Sequence, residues 1–164
     1  MIILGLDPGL RRTGFAAIRI NPDTPSAPPS LLDAGVISLK PAQPVAERLH
    51  ELHTDLAPII AEHTPAAAAV EKIYAHYKHP ATAAVMGHAR GVILLALQSA
   101  AIPILELPAT EIKKSVTGHG HASKQQIAHA VRAILALPQP PHPADVADAA
   151  AIAITAARRI QTNA

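Results

Sequence analysis

The chain has 164 residues, with fourteen Lys and Arg against twelve Asp and Glu and a formal net charge of +2 at pH 7. That length predicts a single domain over 1–164 with a sizeable core, and the small positive charge permits a polyanionic partner without demanding one. Cysteine is absent, which excludes a disulfide framework, a thiolate zinc site and a cysteine nucleophile; with two Tyr, one Phe and no Trp, the core must be aliphatic.

Apolar runs predict strands over 2–7 and 13–20 around the turn DPGLRR, and a third over 31–39 after the loop NPDTPSAPPS. The start MIILGLDPG lacks a basic leader and reads as a strand rather than a signal peptide. Val45, Leu49, Leu52, Leu56, Ile59 and Ile60 recur at helical spacing and predict an amphipathic helix over about 44–62, with Pro58 kinking or splitting it. AAAAVEKI (66–73) reads as a short buried strand. A helix over about 80–100 is apolar nearly all round, which implies burial in the core or against a second subunit.

Strand five is IPILEL (102–107), followed by helices around 109–116 and 123–136, the latter with Ser123 as N-cap. PQPPHP (138–143) is a stiff spacer, and Pro143 suits the first turn of a final helix. The uncharged run between Arg90 and Glu106 is broken by Gln98, Ser99 and Pro103, too short for a membrane span. No membrane association and a cytoplasmic location are therefore expected. The order of elements predicts an α/β fold in which strands one and four run parallel and deliver Asp7 and Glu71 to one sheet edge, where ligands usually bind.

Four acids stand in apolar settings. Asp7 ends IILGLD, Glu71 follows AAAAV, and Asp145 and Asp148 lie three apart in ADVADAAAIAI. A three-residue helical step puts the last two on one face, with Cβ atoms roughly 5–6 Å apart. Taken singly, Asp7 also fits an Asp-Pro-Gly turn and Asp145 also fits a helix N-terminus. Burying carboxylates together costs several kcal/mol unless something compensates, and a divalent cation does so. Oxygen ligands without thiolates suit Mg²⁺ or Mn²⁺, and two such ions roughly 4 Å apart stabilise phosphodiester cleavage.

GLDPGLRRTGFA (5–16), Glu71 with Tyr74 three residues on, GHARG (87–91), KKSVTGHGHASKQQ (113–126) and ADVADAAAIAI (144–154) occur in that order. Together they resemble the RuvC family of Holliday-junction resolvases. The resemblance implies an RNase H-like fold, a five-stranded mixed sheet flanked by helices. It also implies a homodimeric Mg²⁺-dependent endonuclease that nicks four-way junction DNA symmetrically during recombination and repair. By motif, Asp7, Glu71, Asp145 and Asp148 would bind two Mg²⁺ ions, with Mn²⁺ as a substitute, and carry catalysis. Tyr74 would stack near the junction crossover, Lys113 and Lys124 would contact phosphates, and a branch-migration complex of the RuvA and RuvB type would be a partner. His88 replaces the family's usual Gln, while Lys78 and Ala81 stand where Asn and a small hydroxyl residue are common; these departures touch local junction contacts and sequence preference.

Two rival classes share parts of this pattern. A YqgF-type nuclease shares the early Asp-x-Gly turn, but the ADVAD pair and GHGHASK argue against it. The actin, Hsp70 and sugar-kinase group cradles nucleotide phosphates on a related turn, but normally needs two lobes and a longer chain.

Overall fold

The computed structural model describes residues 1–24, 26–72 and 80–163. Its strands are β1 (Ile2–Asp7), β2 (Arg12–Arg19), β3 (Ser30–Ser38), β4 (Ala67–Glu71) and β5 (Ile104–Leu107). The helices are α1 (Val45–His63), α2 (Pro80–Ser99), α3 (Ala109–Thr117), α4 (Lys124–Ile134) and α5 (Ala144–Asn163). Every element expected from the sequence is present within a few residues. α1 runs through Pro58 rather than splitting there.

The sheet order is β3-β2-β1-β4-β5. β1, β2 and β3 pair antiparallel, while β4 is parallel to both β1 and β5. This is the mixed, RNase H-like arrangement, with Asp7 and Glu71 ending adjacent parallel strands. Alternation along the strands divides the core into two layers. Ile3, Ala67 and Ala69 join a cluster with α3, α4 and α5, whereas Leu4, Leu6, Ala68 and Val70 join one with α1 and α2. By parity, Asp7 and Glu71 belong on the first face, the one α5 covers.

α5 approaches that face closely because small residues line both sides of the contact. A Cβ on Gly5 would lie 2.2 Å from the Ala149 carbonyl oxygen, and one on Gly14 2.2 Å from that of Asp145. Gly14 is the register partner of Asp7. The first turn of α5 therefore rests on backbone directly beside Asp7, and Ala149, Ala150 and Ala153 continue the same close layer.

Candidate active site

The turn after β1 is fixed by its own polar groups. The Thr13 hydroxyl donates to the Gly9 carbonyl at 2.8 Å and accepts from the Gly9 N–H at 3.3 Å. A Cβ on Gly9 would come within 2.2 Å of the Arg12 carbonyl, so this turn closes only with glycine. Arg48 of α1 adds an outside tie, donating from Nη1 to the Leu10 carbonyl at 3.1 Å. Asp7 is thus held at the root of a rigid loop.

Glu71 is supported from the opposite layer. Arg90, in the GHARG motif on α2, donates from Nε to the Glu71 carbonyl at 3.4 Å and pairs with Glu106 on β5. The sequence marks this arginine as the one firmly charged residue of an apolar helix but gives it no role. Its role here is positional: it fastens α2 to the ends of β4 and β5.

Asp7, Glu71, Asp145 and Asp148 all line one cleft of about 370 Å³, together with Lys113 and Lys124. Lys113 projects from α3, which is tied to α5 through Arg158 to the Ser115 carbonyl and Arg159 to Glu111 at 3.8 Å. Lys124 is the first residue of α4, whose start is set by a reciprocal capping box between Ser123 and Gln126. Gly118 ends α3 in the left-handed conformation at φ 80°. Tyr74 and Lys78 lie outside the described residues.

The cleft is electrostatically crowded. Burial, then the charges of Asp148 and Glu71, push the Asp7 carboxyl up to about 7, with Lys124 opposing. Glu71 is also raised, first by burial and then by Asp148, against the pull of Lys113 and Lys124. Lys124 hydrogen-bonds Asp148 at 2.9 Å, and that bond and charge raise the ammonium pKa. Arg12 Nε lies 3.3 Å from Asp145 Oδ2, a second pair that the sequence did not announce.

Among the described residues, no three acidic or histidine side chains stand in ready-made cation-cage positions. Arg12 and Lys124 instead pair with the two α5 carboxylates, Asp145 and Asp148. The donor set itself fits a hard divalent ion: among the described residues, four carboxylates and no imidazole line the cleft, and burial followed by neighbouring negative charge leaves Asp7 hard to ionise.

Residues 3–156 match the family model described as crossover junction endodeoxyribonuclease RuvC. The chain belongs to the RuvC family of crossover junction endodeoxyribonucleases. It is 46% identical over 153 residues to the RuvC of Rhodopirellula baltica, covering 93% of this chain and 83% of that one. Identity to the RuvC of Synechococcus sp. strain WH7803 is 42% over 155 residues, covering 94% and 97%. The solved Thermus thermophilus RuvC superimposes with a TM-score of 0.88 at 30% identity, covering 99% of this chain and 97% of its own. The T. thermophilus RuvC solved in complex with a Holliday junction substrate gives 0.90 at 31%, covering 99% and 96%. The yeast mitochondrial resolvase Ydc2, at 13% identity and TM-score 0.68, shares the fold. As a RuvC-family member the chain is a nuclease, and none of its described helices is long and apolar enough to cross a membrane.

Proposed function

We propose that this chain is a Mg²⁺-dependent endonuclease that resolves four-way DNA junctions by paired symmetric nicks during recombination and repair. The observation that carries the proposal is the convergence of Asp7, Glu71, Asp145 and Asp148 on one cleft flanked by Lys113 and Lys124. The T. thermophilus RuvC solved with a Holliday junction substrate supports the choice of DNA.

The four carboxylates would hold two Mg²⁺ ions, with Mn²⁺ able to substitute. When bound, such ions activate water and neutralise charge on the scissile phosphate and the leaving oxygen. The protein's own part begins with repulsion: without cations, the acidic floor rejects a phosphate. Lys113 and Lys124 flank that floor and attract the strand electrostatically, which makes binding salt-dependent. Lys124 has a second duty, because it neutralises Asp148, a carboxylate that would help hold the cation. Burial by α5 excludes bulk water from the inner side of Asp7 and strengthens each charge interaction there. By motif, Tyr74 would stack on an unpaired base, a contact worth about 1–3 kcal/mol.

Paired nicks need two clefts, and the proposed assembly is a homodimer through α2. Ala84, Gly87, His88, Gly91, Leu95 and Gln98 form one exposed stripe on that helix. Leu95 is 62% exposed, and Gly87 and Gly91 have no neighbouring atom within 4 Å of a Cβ position. We also assign the whole chain to one nuclease domain acting in the cytoplasm with a branch-migration complex of the RuvA and RuvB type.

The deciding experiment compares Mg²⁺-dependent nicking of a synthetic four-way junction with that of a linear duplex of the same sequence. Selective, paired nicking of the junction is expected. Equal cutting of both substrates would remove the resolvase reading, and ATP hydrolysis without DNA cleavage would favour the kinase-like group.

A further inference from the structure

A second concavity of about 670 Å³ begins where the acidic cleft ends. Arg12, Met86 and Asp145 border both, so the two are continuous. The charge changes along the way. Among the described residues lining the groove, three guanidinium groups, Arg11, Arg12 and Arg48, meet one carboxylate, Asp145. Arg11 is exposed on the turn between β1 and β2 and Arg12 at the start of β2, and Arg48 braces that turn through the Leu10 carbonyl. Lys113 and Lys124 border the cleft from α3 and α4 instead. The acidic floor is thus bordered by cations from two separate parts of the fold.

A DNA strand crossing four carboxylates needs its neighbouring phosphates held against repulsion on both sides of the cut. Lysines supply one side. Arginines suit the other, because a planar guanidinium binds phosphate through two parallel hydrogen bonds. Arg12 also has a competing anion in place, Asp145 at 3.3 Å. A phosphate in the groove offers it an alternative partner when Asp145 is drawn to a cation.

Resting on the DNA-cleavage reading above, we infer that the groove of Arg11, Arg12 and Arg48 is a second DNA-backbone track, holding phosphates on the side of the scissile bond away from Lys113 and Lys124. Arg11 contacts a phosphate directly. Arg12 exchanges Asp145 for a phosphate on binding. Arg48 is a positioning residue that keeps the turn in place.

The test measures binding of the full-length protein to a fluorescent synthetic four-way junction, with Ca²⁺ replacing Mg²⁺, between 50 and 200 mM salt. Each lost phosphate contact lowers the slope of log affinity against log salt by about 0.9. Arg11→Ala and Arg12→Ala should each show that drop, so that affinity falls about three-fold less than wild type across the salt range. Arg11→Lys should restore the slope, whereas a purely structural role would not be rescued by charge. Arg19→Ala, at the opposite end of β2, should match wild type. Wild-type slopes in both alanine variants would overturn the groove while leaving the nuclease reading intact, provided wild type still binds and nicks the junction. Lower affinity at an unchanged slope would also overturn it. Failure of wild type to bind or cut a junction would instead remove the underlying reading, and the groove with it.

Discussion

Asp7 is placed where its own charge is unfavourable, and that has a measurable consequence. Its folded pKa, pushed up to about 7, stands well above the ordinary aspartate value of 3.8 that approximates the unfolded chain. Between those values the folded state binds the extra proton, so metal-free stability falls as pH rises through that window and the loss is complete above about 7. Asp7→Asn removes the ionisation and should stabilise the metal-free protein by about 1–4 kcal/mol at pH 8, with little change at pH 4. Urea denaturation across pH 5–8 checks it, and parallel pH curves for both proteins would refute it. The same substitution should abolish Mg²⁺-dependent nicking while junction binding stays nearly unchanged, because the lost charge serves a cation and not DNA. Residual cutting in Mg²⁺ would show that Asp7 is not a ligand. All four acids were legible because each stood out against alanine, leucine or valine. Arg12 and Lys124 as partners of Asp145 and Asp148 were not, since the two residues of each pair lie more than twenty positions apart in the chain.

At the scale of elements, the placement of α5 decides whether these carboxylates meet. Periodicity put Asp145 and Asp148 on one helix face but carried no information about which surface that face would cover. The missing signal lay in Gly5 on β1 and Gly14 on β2. They are where helix backbone touches sheet backbone, and isolated strand glycines often mark such an approach. Gly14→Ala should therefore move the first turn of α5 away from β2. Overpacking of this kind costs about 1–3 kcal/mol, visible as a lower midpoint in urea. Because a shift on the order of 1 Å can cost 100-fold in rate, nicking should fall far more than junction binding. A variant with unaltered cleavage would show that this contact does not set the carboxylate geometry. The boundaries were less legible than the elements: β5 begins at Ile104 rather than two residues earlier, and α4 ends at Ile134 because the chain turns at Leu135 and Ala136.

For the whole molecule, a net charge of +2 conceals a strong local pattern, an acidic cleft between basic flanks. The described residues of one chain form one such cleft, so the proposed paired nicking would depend on how two copies are joined. The apolar character of α2 left two readings open in the sequence, core or interface. Its structure gives the core reading one face, where Ala89, Ile93, Ala96 and Leu97 are buried against the sheet layer, and leaves Leu95 facing outward on the face proposed for the interface. Leu95→Glu should leave protomer stability within about 0.5 kcal/mol, as expected for an exposed site. Placed near its own copy across a two-fold axis, the new carboxylate would meet like charge at the centre of the contact. Sedimentation at micromolar concentration should then change from dimer to monomer, and junction cleavage should yield single uncoordinated nicks in place of paired ones. The two readouts separate the possibilities. A variant that remains dimeric moves the interface away from α2, whereas a monomer that still makes paired nicks breaks the link between dimerisation and symmetric resolution.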